Sequence, residues 1–187
     1  MSKPTTYISM LRGINVGGKN LIKMEALKLM YTNLGFINVQ TYIQSGNVIF
    51  QTNSTDATIL ATTISKKITD TFGLQVPLII KDAIEFQEIV ENNLFLSRKN
   101  INTPTLHITF LSSSPLPHNL IKITQSRTPI STNNDEFVMN ADVIYLHCPN
   151  GYGNSKLTNS FWENKLKVTA TTRNVNTCMQ LLNMAIN

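Results

Sequence analysis

The chain has 187 residues, 42% of them hydrophobic, enough to bury one sizeable core or two small ones. Its longest apolar runs are only a few residues, as from Val76 to Ile80, far short of the roughly 20 that span a bilayer. Sixteen Lys and Arg against eleven Asp and Glu give a net charge of +5, which permits an anionic partner without demanding one.

In chain order, alternation through Thr6 to Leu11 predicts a first strand, and Met24, Leu27, Met30, Tyr31 and Leu34 recur at helical spacing until Gly35. Ile37 to Gln44 and Val48 to Thr52 are β-rich runs around Ser45-Gly46-Asn47, a short connection that predicts a hairpin. Leu60, Ile64, Ile68 and Phe72 mark a helix closed by Gly73, Val76 to Lys81 a strand, and Asp82-Ala83-Ile84-Glu85 the capped start of another helix.

The second half repeats the pattern: a strand from Leu106 to Leu111, a helix starting near Pro117, and strands around Glu136 to Met139 and Val143 to His147 that turn at Asn140-Ala141. A helix from Lys156 to Lys165 follows, then an extended run from Val168 to Thr172. The last helix carries Val175, Cys178, Met179, Leu182 and Ile186 on one side. Each half therefore reads β-α-β-β-α-β-α. The internal hairpins argue against a doubly wound parallel sheet. The expected fold is α+β, with two ferredoxin-like β-α-β-β-α-β modules at residues 1–96 and 104–187, a link at 97–103, and duplication as their origin.

The N-terminus runs from Met1-Ser2-Lys3-Pro4 directly into the first strand, with no apolar segment before a small-residue cleavage site, so a cytoplasmic protein is expected. Cys148 and Cys178 have no partners at metal-ligand spacing apart from His147, so neither a metal nor a cofactor is expected. Cys178 and Trp162 fall on apolar helix stripes and are expected to be buried packing. His107 and His147 alternate with apolar strand residues, which places each on the less buried face of its sheet. Glu85, Glu88 and Glu91 fit a solvated helix face.

Two glycine-bearing loops stand out, Leu11 to Asn20 and Pro149 to Asn159. Gly13 to Lys19 fits the phosphate-cradling G-x-x-x-x-G-K, yet Asn20 stands where the Mg²⁺-binding Ser or Thr belongs. Helical periodicity also begins only near Met24, several residues past Lys19, so an NTPase is disfavoured. Before Glu25 there are four basic residues and no acid, and from Val143 onward four face Glu163 alone. Glycines supply positive φ for such loops, and successive amides with nearby cations form nests for anions.

The run Tyr7 to Asn20 resembles the opening signature of the domain-of-unknown-function 1697 family. Thr41 to Val48 resembles its hairpin block, and Ser155 to Asn159 with Ala170 to Asn174 resembles its C-terminal signature. The resemblance implies a two-part α+β fold related to the ferredoxin-like arrangement in bacterial cytoplasmic proteins, with no established activity. Asn154 stands where the family often has Arg, and Val175 where Trp is frequent, which removes a cation and a stacking surface.

The expected function is binding of an anionic, phosphorylated small ligand in a basic pocket between the two signature loops. Arg12, Asn15, Gly17, Gly18, Lys19 and Gln44 would come from the first loop and its hairpin, and Ser155, Lys156, Arg173 and Asn174 from the C-terminal blocks. The alternatives are a nucleic-acid-binding protein or an enzyme of unrecognised type. Nucleic acid is the less favoured partner, because Asn47 to Thr52 offers only Phe50 for stacking and no RNA-recognition pattern appears. No membrane partner is expected, and the sequence leaves catalysis and oligomeric state open.

Overall fold

The computed structural model describes residues 3–54, 56–124 and 134–187. The first half runs β1 (Thr5–Leu11), α1 (Met24–Asn33), β2 (Ile37–Tyr42), β3 (Asn47–Thr52), α2 (Ala57–Phe72), β4 (Leu78–Asp82) and α3 (Ala83–Glu91). The second runs β5 (Leu106–Leu111), α4 (Pro117–Thr124), β6 (Glu136–Asn140), β7 (Val143–His147), α5 (Asn159–Leu166), β8 (Ala170–Asn174) and α6 (Val175–Ile186). The sheets are ordered β2-β3-β1-β4 and β6-β7-β5-β8, with every neighbouring pair antiparallel. That order is the ferredoxin-like arrangement, present twice, as the hairpin in each half led us to expect. The chain divides into two compact units, Met1–Glu88 with Gln180–Asn187 (unit 1) and Ile89–Met179 (unit 2).

In unit 1 the alternation of the strands meets the helical period of α1 and α2. Tyr7, Leu11, Val48, Phe50 and Ile80 pack against Leu27, Met30 and Tyr31 of α1 and Leu60, Ile64 and Ile68 of α2. Phe50 is the hub, with the Tyr7 ring stacked at 5.8 Å, Tyr31 edge-on at 5.4 Å and Phe36 at 4.5 Å. The buried hydroxyls of Ser9 and Tyr31, 2.9 Å apart, satisfy each other where water cannot reach. Burial pushes the Tyr31 phenol well up. The opposite face of this sheet is buried too: Ile8, Met10, Ile49 and Ile79 are all at most 4% exposed.

Unit 2 is built alike, from Leu111, Ile144, Leu146, Leu157, Leu166 and Ala170 around Trp162. The indole is fully buried, donates from Nε1 to the Leu157 carbonyl at 3.1 Å, and meets Phe137 and Phe161 edge-on. Packing is its role, as the apolar stripe indicated. The other face carries Ile108, Phe110, Val143 and Tyr145, and the Tyr145 hydroxyl donates to the Ile89 carbonyl at 3.0 Å. A 3-10 turn at Leu94–Ser97 sets Phe95 beside His147 on this unit.

Local chemistry fixes the helix ends. Asp56 accepts from the Thr58 and Ile59 amides at the start of α2, Gly73 closes it in the left-handed conformation, and Asp82 accepts from the Glu85 amide in α3. Helix α5 starts at Asn159 rather than Lys156, because extended Thr158 caps the Phe161 amide with its hydroxyl and leaves residues 156–158 outside the helix. Among the described residues no helix is long and apolar enough to cross a membrane. Removing the α2 cap with Asp56→Ala should cost about 1 kcal/mol, read as a lower urea midpoint at unchanged slope.

Candidate functional site

The first signature loop leaves β1 at Arg12 and returns to α1 at Met24. Its course is set by side-chain amides turned inward. Asn15 Nδ2 donates to the carbonyls of Ile22 at 3.0 Å and Gln44 at 2.9 Å, while its Oδ1 accepts from the Ile22 amide. Asn20 Nδ2 donates to the Gly13 carbonyl, and the Asn15 amide to the Asn20 carbonyl. Within this frame, Val16 to Lys19 form a tight turn, with Gly17 at φ 57° and Gly18 at φ 74°. Lys19 is exposed at the tip and Arg12 half-buried at the base, where its amide donates to the Pro77 carbonyl.

The β2–β3 hairpin is the loop's floor. Leu11 donates its amide to the Gly46 carbonyl at 2.8 Å, and Gly46 is buried at φ 78°. A Cβ there would stand 2.7 Å from Ile14 Cδ1 and 2.9 Å from Leu11 Cβ, so only glycine lets the hairpin approach so closely. Asn47 braces the turn from beneath, donating to the Tyr42 carbonyl and to Ser45 Oγ. The first two signature blocks are thus one fastened piece of unit 1. Its start lies several residues ahead of α1, whose N-cap Lys23 makes no side-chain cap bond; the P-loop geometry is absent from these residues.

The C-terminal blocks are fastened to each other in unit 2. Thr172 Oγ1 donates to Asn159 Oδ1 at 2.6 Å and accepts from the Tyr152 hydroxyl at 3.1 Å. Since its single proton goes to Asn159, the Thr109 hydroxyl 2.7 Å away is the donor in that pair. Ser155 is buried, its Oγ accepting from the Leu157 amide, whereas Lys156 is exposed. Asn174 donates to the Pro104 carbonyl and accepts from the Asn176 amide at the start of α6. Arg173 is buried, its Nη1 donating to Thr171 Oγ1 and the Thr172 carbonyl, and desolvation lowers its pKa to about 10. Of the ten residues singled out in the sequence, Arg12, Asn15, Gly17, Gly18, Lys19 and Gln44 gather in unit 1. Ser155, Lys156, Arg173 and Asn174 lie in unit 2.

His107 differs from its expected placement. It pairs across the strands with Leu146, a residue of the helix-covered core, so it shares that face. Tyr152 stacks on its ring at 4.9 Å, and Asn174 Nδ2 lies 3.3 Å from Nε2. Nδ1 is buried and makes only a loose approach to the Thr105 backbone. Desolvation lowers the His107 pKa, which keeps the imidazole neutral. His147 takes the opposite face, 3.3 Å from Glu136, which also accepts from Arg98 at 2.8 Å. Arg98 first, then His147, holds the Glu136 carboxyl below its usual range.

The cysteines are buried, and burial raises Cys148 to about 11 and Cys178 to about 12, so both are inert thiols. Among the described residues no group of three or more His, Cys, Asp or Glu is placed to hold a metal ion. The residues that sequence reasoning missed are the fasteners Asn20, Tyr152, Asn159 and Thr172. The available signal was the density of Asn and Thr in irregular segments, where their short side chains bond to backbone.

Comparison with known proteins places this architecture. The model of the family described as "protein of unknown function (DUF1697)" matches residues 5–145, and the chain belongs to that family. Among solved structures, a conserved bacterial protein of Streptococcus pneumoniae, SP0830, is similar in fold at a TM-score of 0.66 and 22% identity, over 98% of this chain and 99% of that one. No curated protein matches.

Gly46→Ala should destabilise the protein by about 2–4 kcal/mol, combining a strained φ with an overpacked contact, as measured by urea unfolding. The pH dependence of stability has a predicted sign as well. The folded pKa of His107 lies below its ordinary 6.5, so near that value the unfolded chain binds a proton that the folded chain refuses. Its contribution is full above the ordinary imidazole range and is lost as pH falls through it. Unfolding at about pH 7.5 and about pH 5.5 should show this loss, and His107→Gln should reduce it.

Proposed function

We propose that this protein binds a small anionic ligand, of phosphorylated type, at the glycine-bearing loop of unit 1. The observation that carries the proposal is a cationic loop whose shape is set before any ligand arrives. Asn15 and Asn20 spend their side chains on the loop's own backbone, while Lys19 stands exposed beside Gly17 and Gly18 at its tip. No acid occurs before Glu25, so Lys19 and Lys23 stand in a segment whose charged residues are all basic. A loop already ordered loses little conformational entropy on binding, and glycine backbone lets an anion approach the amides closely. Gln44 takes part through its carbonyl, as an anchor for Asn15.

In unit 2 the matching role falls to exposed Lys156, with Ser155, Arg173 and Asn174 as frame. Binding, not turnover, is proposed: His107 is covered by Tyr152 and both thiols are buried. Nucleic-acid recognition by stacking bases on the sheet face away from the helices fits poorly, because those positions hold buried Ile8, Met10, Ile49 and Ile79 in unit 1 and equally buried residues in unit 2. We further read the repeated module as a duplication and the two buried, unpaired cysteines as those of a cytoplasmic protein.

Calorimetric titration with inorganic phosphate and with sugar phosphates tests the binding proposal. Lys19→Ala should weaken the titration at least fivefold and leave the melting temperature of the unliganded protein within a degree or two. Equal affinity in Lys19→Ala and wild type would remove the loop from consideration.

A further inference from the structure

Unit 1 contains a cavity of about 310 Å³ remote from the signature loop, at the lower end of the roughly 300–1,000 Å³ typical of small-molecule sites. It opens beside the edge strand β2, and Thr6, Asn38, Gln40, Ile49, Gln51 and Met184 line it. Cross-strand pairing of Thr6 with Gln51 and of Gln40 with Ile49 places these four on the sheet face away from α1 and α2. Met184, from the part of α6 that belongs to unit 1, supplies a facing wall. Thr6 and the signature loop lie at opposite ends of β1, about 20 Å apart at the strand rise of roughly 3.3 Å per residue. One small ligand cannot span both.

The lining residues include no charged side chain. An anion would lose its hydration there with no cationic side chain to meet it, so the cavity suits an uncharged ligand. Its polar groups are carboxamides held in a row. Asn38 Nδ2 donates to Gln51 Oε1 at 2.7 Å, and Gln51 Nε2 donates to Thr6 Oγ1 at 3.1 Å. Each of these amide nitrogens carries a second proton, and Asn38 keeps an acceptor oxygen. Asn187, also lining the cavity, donates from Nδ2 to the Asn183 carbonyl and to Asn183 Oδ1, and its own Oδ1 can only accept. Adjacent donors and acceptors on fixed amides are the means by which Asn and Gln read the N6/N7 edge of adenine. The polarisable thioether of half-buried Met184, with Ala185 beside it, adds apolar surface suited to the face of a flat ring.

We propose that this cavity is a binding site for an uncharged purine base of the adenine type, its edge on the Asn38–Gln51 amides and its face against the Met184 wall. The bulge at the Ile37/Gln40 register shift, with Asn38 at φ 52°, frees the Asn38 side chain from strand alternation and lets it meet Gln51.

The probe is free adenine, which carries no phosphate, so success or failure here is independent of the anion site in the loop. Adenine titrated into the full chain should give saturable NMR shifts at the backbone amides of residues 38–40 and 49–51. Gln51→Leu should raise the dissociation constant at least tenfold, and Met184→Trp, which fills the cavity, should abolish saturation. Lys19→Ala should change neither. Two-dimensional spectra of both cavity variants verify that they are folded, and Gln40→Leu, at an exposed lining position, serves as the replacement if either is not. Absence of saturable shifts with adenine, or shifts that persist unchanged in the folded variants, would overturn the proposal.

Discussion

The approach of the β2–β3 hairpin to the end of β1 is the constraint on which the candidate site depends. Gly46 has no side chain to hold the two apart, so Leu11 donates directly to its carbonyl and Ile14 packs over it. Once the hairpin is that near, Asn15 can reach the Gln44 carbonyl and the Ile22 backbone at once, and the loop from Arg12 to Asn20 has one course. The exposed cation at its tip therefore owes its position to a glycine more than two dozen residues later in the chain. A fixed tip matters because it sets where the long, rotating Lys stem is rooted.

The same economy governs unit 2 with different atoms. A directed row of hydroxyls from Thr109 and Tyr152 through Thr172 to Asn159 ties β5, β8, the 3-10 turn at Tyr152–Asn154 and the start of α5 together. Each proton in the row has a determined acceptor, so the network is satisfied in one arrangement rather than several. His107 sits at its margin as a neutral ring stacked on Tyr152. Both units thus use polar side chains to shape irregular backbone, and leave the apolar strands and helices to supply the stability.

Element order was legible in the sequence because it rests on local signals. The hairpin at Ser45-Gly46-Asn47, the left-handed stop at Gly73 and the Asp82 cap each depend on a few adjacent residues, and each stands where the residues indicated. Boundaries failed where a side chain chose between local partners: Thr158 could have continued a helix, and caps one instead. The face of His107 was illegible because alternation gives the period of a strand and not which side is covered. The site suffered most, since polar residues in glycine-rich loops look alike whether they meet a ligand or their own backbone. Asn15, Asn174 and Arg173 read as ligand groups in the sequence, yet the structure shows hydrogen bonds from each to its own unit, which only the non-local geometry reveals.

The single tryptophan of the chain also has an experimental consequence. Trp162 is sealed inside unit 2, whereas the aromatic cluster around Phe50 in unit 1 holds tyrosines and phenylalanines alone. Indole emission is therefore a private reporter of one half of the molecule, while backbone circular dichroism sums over both. Superposed denaturation curves from the two signals would mean that the units melt as one cooperative body; separated curves would give the stability of unit 2 directly, without cutting the chain.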